Sequence, residues 1–285
     1  MLTTQLPRGQ AALPVLGLGT WRLGESAARR AAEVAALRDA IGLGYRLFDS
    51  AEMYGEGGAE TVLGEALRGA IAAGEVTRDD LFVVSKVYPH NASRRGAVAA
   101  CERSLARLGL DRIDLYLLHW RGAHPLAETV AAFEALQAAG RIGAWGVSNF
   151  DRDDLEELVA LPGGDACAAN QVWYSASQRG VEFDLLPWMQ ARGMPLMAYS
   201  PIDQAALARH PRLEAVARRL GVTAAQVALA WVLRAQGVVA IPKAVDPGHL
   251  RANLDAAGLA LDAPALAEID RAFAPPRVRT ALAMN

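Results

Sequence analysis

Four side chains in this sequence have the types and spacing of an acid–base device. Asp49 and Tyr54 lie five residues apart in "FDSAEMYG", Lys86 lies in "LFVVSKVYPH", and His119 lies in "LYLLHW". Asp49, Lys86 and His119 each close an apolar run, and Tyr54 follows in a Gly-rich stretch. The lysine stands out, because of 29 Lys and Arg residues only Lys86 and Lys243 are lysines. Arginine is a permanently charged planar fork, whereas lysine is a compact point charge whose pKa shifts readily on burial. Burial at an apolar strand end disfavours an ammonium unless a carboxylate compensates it, and Asp49 can do so. An ammonium beside Tyr54 would lower the phenol pKa from its usual ~10, making a general acid for a developing alkoxide. His119 could orient a carbonyl as a neutral hydrogen-bond donor. Taken singly, each has a bland reading: Asp49 a turn residue, Tyr54 a half-buried aromatic, His119 a satisfied core histidine.

None of the four supplies electrons, so a carbonyl reduction would need a separate hydride donor. Ser148, Asn149 and Gln171 could pair with a carboxamide, Tyr199 offers a face for stacking on a nicotinamide ring, and Ser200 adjoins it. Lys243 precedes "PGHLRANL", where a cation and a helix N-terminus together favour a phosphate. "GLGTWRLG" begins as GxG, but Arg22 occupies the third glycine position of the dinucleotide fingerprint.

The elements that must position these residues are legible as alternation. Apolar runs at 15–21, 45–51, 81–87, 113–120, 142–149, 167–175, 195–201 and 238–244 are each followed by a helix-like segment. Nearly continuous apolar strands suit a parallel sheet buried on both faces. Helix-closing glycines are expected at Gly44, Gly74, Gly109, Gly140 and Gly193. Eight β/α units without a linker predict one domain over residues 1–285, an α/β (β/α)8 TIM barrel, with a doubly wound open sheet as the runner-up. The barrel is favoured because Asp49, Lys86, His119, Ser148, Gln171, Tyr199 and Lys243 all fall at strand ends. Only a closed rim brings all of them to one cavity.

The bulk composition is globular, with 52% hydrophobic and 21% charged residues and a net charge of −2. That balance carries no electrostatic footprint for nucleic acid or an anionic membrane. No apolar run approaches the ~20 residues that span a bilayer, and the start has no signal-peptide pattern. Cys101 and Cys167 match no metal-ligand spacing. A soluble cytoplasmic protein is expected, with no nucleic-acid or membrane partner.

With "GLGTW", "DSAEMYG", "VSKVY", "LLHW", "WGVSNF", "NQVWY", "AYSP" and "IPKA" in this order, the chain resembles the aldo-keto reductases along nearly its full length. The resemblance implies a (β/α)8 barrel with a short N-terminal β-hairpin across its bottom, extra helices near the C-terminus, and NADPH/NADP+ bound along the C-terminal rim. It implies Tyr54 as proton donor tuned by Lys86 and Asp49, with His119 positioning the carbonyl. It places Ser148, Asn149 and Gln171 on the carboxamide, Tyr199 on the nicotinamide, Lys243 on the 2′-phosphate and Asn253 on the adenine. The chain departs from many relatives at Ala244, His249 and Ala252, where Ser or Thr, Arg and Glu are usual. His249 would then assist the phosphate mainly when protonated, and NADH becomes a weaker alternative cofactor. Arg251 reads either as a compensating cation or as a solvated helix residue.

Trp21, Met53, Tyr88 and Trp120 resemble the pocket-lining positions of the family, and each reads alternatively as barrel packing. The short segments after Trp120 and Pro201 predict an open, aromatic-walled pocket for small aldehydes. "AEMYGEGGAE", "VSKVYPHNAS" and "RGVEFDLLPW" are similar to bacterial methylglyoxal reductases within the family, which makes methylglyoxal the leading substrate. Two other classes stay open. One is a cofactor-binding regulatory subunit, and the other is a Schiff-base aldolase using Lys86 as an amine nucleophile. The family resemblance also implies a monomer.

Overall fold

A computed structural model describes residues 2–285. β1 (Thr3–Gln5) and β2 (Ala12–Pro14) pair antiparallel as a hairpin. Eight parallel strands follow: β3 (Leu18–Gly19), β4 (Leu47–Asp49), β5 (Phe82–Val87), β6 (Ile113–Leu118), β7 (Ile142–Ser148), β8 (Asn170–Trp173), β9 (Leu196–Tyr199) and β10 (Val238–Ala240). Neighbours in the sheet are neighbours in sequence. The two ends also join: Gly17 N–H donates to Ala240 O at 2.9 Å and Ala240 N–H to Val15 O at 2.8 Å. The sheet is therefore closed, with no free edge, and the expected (β/α)8 barrel is the fold found.

The helices are α1 (Arg30–Leu43), α2 (Gly58–Ala72), α3 (Arg94–Leu108), α4 (Leu126–Ala138), α5 (Arg152–Val159), α6 (Leu185–Gln190), α7 (Pro211–Leu220), α8 (Ala224–Leu233), α9 (Pro247–Ala256) and α10 (Ala263–Ala272). All five glycines expected as caps are left-handed, from φ 62° at Gly193 to 108° at Gly44. Several strands are shorter than the apolar runs that signal them. In the last run the strand stops at Ala240 because Pro242, without an N–H, cannot continue the ladder. None of the helices is long and apolar enough to cross a membrane, and Cys101 and Cys167 are free and buried.

Strand parity decides what reaches the site. Leu47, Phe82, Val84, Leu115, Leu117, Ala144, Met197 and Val239 pack inside the barrel, with Leu6 and Leu13 of the hairpin segment. Phe48, Val83, Tyr116, Trp145, Val172 and Ala198, one residue out of phase, pack with the helices. Side chains alternate faces along a strand, so the same phase carried upward points 49, 86, 119, 148, 171 and 199 inward, and 243 follows just beyond the end of β10. These are the seven polar strand-end residues of the sequence. The same period that builds the apolar interior aims its polar top layer into one opening.

Candidate active site

Lys86 is fully buried and gives all three of its donor directions to protein. Nζ lies 2.7 Å from Asp49 Oδ2, 2.8 Å from Ser50 O and 3.2 Å from the Tyr54 hydroxyl. Burial works against the charge, but Asp49 and then Tyr54 outweigh it, and the ammonium is held above its ordinary pKa. Lys86 is thus a fixed cation rather than a free amine, which removes the nucleophile that the Schiff-base reading needs.

Tyr54 corrects one expectation. Its pKa is raised, not lowered: burial is the largest cause, Lys86 opposes it, and Asp49 adds to the rise. The phenol therefore keeps its proton at neutral pH, as a general acid must before it acts. The Tyr54 loop is pressed against the segment after β3. A Cβ at Gly24 would lie 2.1 Å from Gly58 C, so only glycine allows this approach.

His119 stacks edge-on to Tyr54, with ring centroids 5.7 Å apart. Burial, and secondarily Lys86, pushes its pKa well below 6.5, so the imidazole is neutral. Its Nδ1 is buried without a partner among the described residues.

These residues sit at one end of a cavity of about 610 Å³. Asp49, Tyr54 and His119 line it, while Lys86 stands behind them. Ser148, Asn149, Gln171, Tyr199, Ser200 and Lys243 line the same cavity, as do Trp21, Met53 and Trp120. Several are already engaged with one another. Gln171 Nε2 donates to Asp49 Oδ1 at 2.7 Å, Ser148 Oγ donates to Gln171 O at 2.8 Å, and Tyr199 OH donates to Asn149 Oδ1 at 2.9 Å. Asn149 takes a left-handed φ of 59°, rare for a non-glycine residue, and its amide donates to His119 O at 3.0 Å.

Three expected site residues do not line this cavity. Tyr88 is behind Trp120, edge-on with centroids 5.6 Å apart, and does not line the cavity. His249 is exposed in the first turn of α9, where its N–H donates to the Asp246 cap at 2.9 Å. Asn253, one helical turn on, is buried beside the Tyr45 hydroxyl. Both lie outside the cavity because α9 packs on the barrel's outer face, alongside α1 and α8.

Other residues enter unannounced. Arg22 lines the cavity with its guanidinium 4.3 Å from the Trp21 ring and a left-handed φ of 64°. Met284 and Asn285 also line it, and Asn285 Nδ2 donates to Ser200 Oγ at 3.0 Å. The tail is steered there by Arg279, which pairs with Asp153 at 2.8 Å and Asp184 at 3.2 Å. The acidic run "DRDD" opposite a tail arginine was the one sequence signal for this docking.

Chemically, the cavity offers a protonated phenol and a neutral imidazole at its floor, and amides and an aromatic face along one wall. Lys243 and Arg22 add positive charge at the rim. That donor set fits a nicotinamide dinucleotide: carboxamide partners, a stacking face and cations for phosphate.

The family model described as "Aldo/keto reductase family" matches residues 15–274. The chain is 50% identical over 281 residues to methylglyoxal reductase YeaE of Escherichia coli (strain K12), covering 97% of this chain and 96% of that protein. A crystal structure of an aldo-keto reductase from Klebsiella pneumoniae in complex with NADPH superposes with a TM-score of 0.93 at 47% identity, over 100% of both chains. A thermostable aldo-keto reductase, Tm1743, in complex with the inhibitor epalrestat, superposes with a TM-score of 0.87 at 39% identity, over 95% of this chain and 99% of that one.

Proposed function

The chain belongs to the aldo/keto reductase family, and from that premise we propose that it reduces small aldehydes and 2-oxoaldehydes with NADPH, methylglyoxal first among them. The observation that carries this reading is the Lys86 ammonium bonded to both Asp49 and Tyr54, below a cavity that Tyr54 and His119 line. NADPH, when bound, supplies the hydride that no side chain here can provide. Tyr54 gives its proton to the oxygen of the carbonyl as negative charge develops there. Lys86, charged and 3.2 Å from the phenolic oxygen, stabilises the phenolate left behind. Asp49 keeps Lys86 charged, and His119, neutral, donates a hydrogen bond that orients the carbonyl. Ser148, Asn149 and Gln171 would hold the carboxamide, Tyr199 the nicotinamide face and Lys243 the 2′-phosphate. Trp21, Met53 and Trp120 wall the substrate end. The choice of methylglyoxal is supported by the likeness to the E. coli relative and by the short loops around the cavity.

The test is the loss of reduced-nicotinamide absorbance with methylglyoxal, run with NADPH and with NADH, on the wild type and on Tyr54→Phe. Turnover chiefly with NADPH, abolished in a Tyr54→Phe protein that still binds NADPH, is expected. A Tyr54→Phe variant turning over normally would sink the acid assignment. A wild type inactive on a broad aldehyde panel would sink the reductase reading.

A further inference from the structure

We propose that Glu52 is a positioning residue that sets which aldehydes the site accepts, by holding Tyr88 behind Trp120; this rests on the carbonyl-reductase reading above. Glu52 lies two residues before Tyr54 and is only 8% exposed. A carboxylate so buried needs donors, and its donors come from the loop that follows β5. Oε1 accepts from Tyr88 N–H at 2.7 Å and from Asn91 Nδ2 at 3.0 Å. The nearby cation, Arg103, is 3.5 Å from Oε2 with half its side chain in solvent. The charge-assisted bonds to the loop are therefore the tighter restraint. The Glu52 backbone N–H also donates to Lys86 O at 3.2 Å. One residue of the acid's loop is thus tied by its main chain to the strand of Lys86 and by its side chain to the loop beyond.

That loop supports the cavity wall. The Tyr88 ring meets the Trp120 indole edge-on, and Trp120 in turn packs on His119 with centroids 4.9 Å apart. The loops after β5 and β6 interlock beneath these rings. A Cβ at Gly122 would lie 2.5 Å from Pro89 Cβ, and His124 Nε2 is 3.1 Å from His90 O. The two loops form one packed unit, and Glu52 fixes that unit against the Tyr54 loop. Without the carboxylate, the Tyr88 N–H loses its acceptor and the indole loses its backing. An aromatic aldehyde that packs on the indole suffers most. A small 2-oxoaldehyde, held chiefly at its carbonyl by Tyr54 and His119, suffers least.

The experiment compares kcat/KM for methylglyoxal and for para-nitrobenzaldehyde in the wild type, Glu52→Ala, Glu52→Gln, Tyr88→Ala and the double alanine variant, with NADPH Kd measured alongside. Glu52→Ala and Tyr88→Ala should each lower the aromatic aldehyde's kcat/KM about tenfold more than methylglyoxal's, the scale of a small misplacement of a positioned group. NADPH Kd should hold, and Glu52→Gln, which keeps an acceptor for the Tyr88 N–H, should restore most of the selectivity. The double variant should be no more altered than either single one, because both act through the same wall. Equal losses on the two aldehydes, or additive losses in the double variant, would overturn the proposal. If Glu52→Ala does not fold, unchanged selectivity in Tyr88→Ala, which keeps the carboxylate, overturns it equally. A wild type inactive on both aldehydes would instead refute the underlying reductase reading.

Discussion

Gln171 donates its side-chain N–H to Asp49 Oδ1 at 2.7 Å, linking β8 to β4 across the barrel interior. Asp49 is thereby shared, with Oδ2 on the Lys86 ammonium and Oδ1 on an amide from the wall assigned to the cofactor. The two groups of site residues are one hydrogen-bonded network. Replacing Gln171 with Leu leaves a buried carboxylate oxygen short of its donor, a loss of about 1–3 kcal/mol. Chemical denaturation should show that loss, with kcat/KM falling alongside. A Gln171→Leu protein as stable as the wild type would mean that the bond contributes nothing.

The Lys86–Asp49 pair should behave as a unit. Lys86→Met strips the cation from a carboxylate that is 2% exposed, and breaking such a pair from one side costs about 3–5 kcal/mol. Adding Asp49→Asn removes the stranded charge and should recover part of that stability, though not activity. Additive losses in the double variant would show that the two groups do not compensate one another.

His119 makes folding stability depend on acid. Its pKa is well below 6.5 in the folded chain, because burial and Lys86 disfavour the imidazolium. Below the unfolded pKa of about 6.5 the unfolded chain takes up a proton that the folded chain refuses, so stability falls with pH. The limiting slope is about 1.4 kcal/mol per pH unit for this one group, until the folded pKa is passed. His119→Asn should remove that component from a plot of unfolding free energy against pH. Since His119 stays neutral and Tyr54 stays protonated, kcat for reduction should be flat from about pH 6 to about pH 9. A break near neutrality would contradict these assignments.

Lys243 lines the cavity rim and is exposed, and His249 stands exposed in the following helix. Lys243→Ala should weaken NADPH binding about tenfold or more while changing NADH little, the scale expected for a charged bond to phosphate. His249→Arg, which places a permanent cation in that turn, should move the ratio the other way. Tryptophan-fluorescence titration with both cofactors decides it. Equal effects of Lys243→Ala on NADPH and NADH would place the 2′-phosphate elsewhere.

Much of the site was legible because strand parity is a local property. Once 47, 82, 84, 115 and 117 are read as apolar inward positions, 49, 86 and 119 follow from backbone geometry alone. The repeated β/α rhythm then places every strand top on one rim. What the sequence by itself determined was thus the barrel and the seven strand-end residues of its rim. Tertiary structure decided the rest. Burial outweighed Lys86 at Tyr54 and reversed the expected shift, because desolvation depends on everything packed around the phenol. Tyr88 went behind Trp120, Arg22 turned inward, and Asn285 reached Ser200, each placed by loops whose course depends on contacts far away in sequence. A strand carries its own period, whereas a loop side chain takes its direction from whatever packs against it.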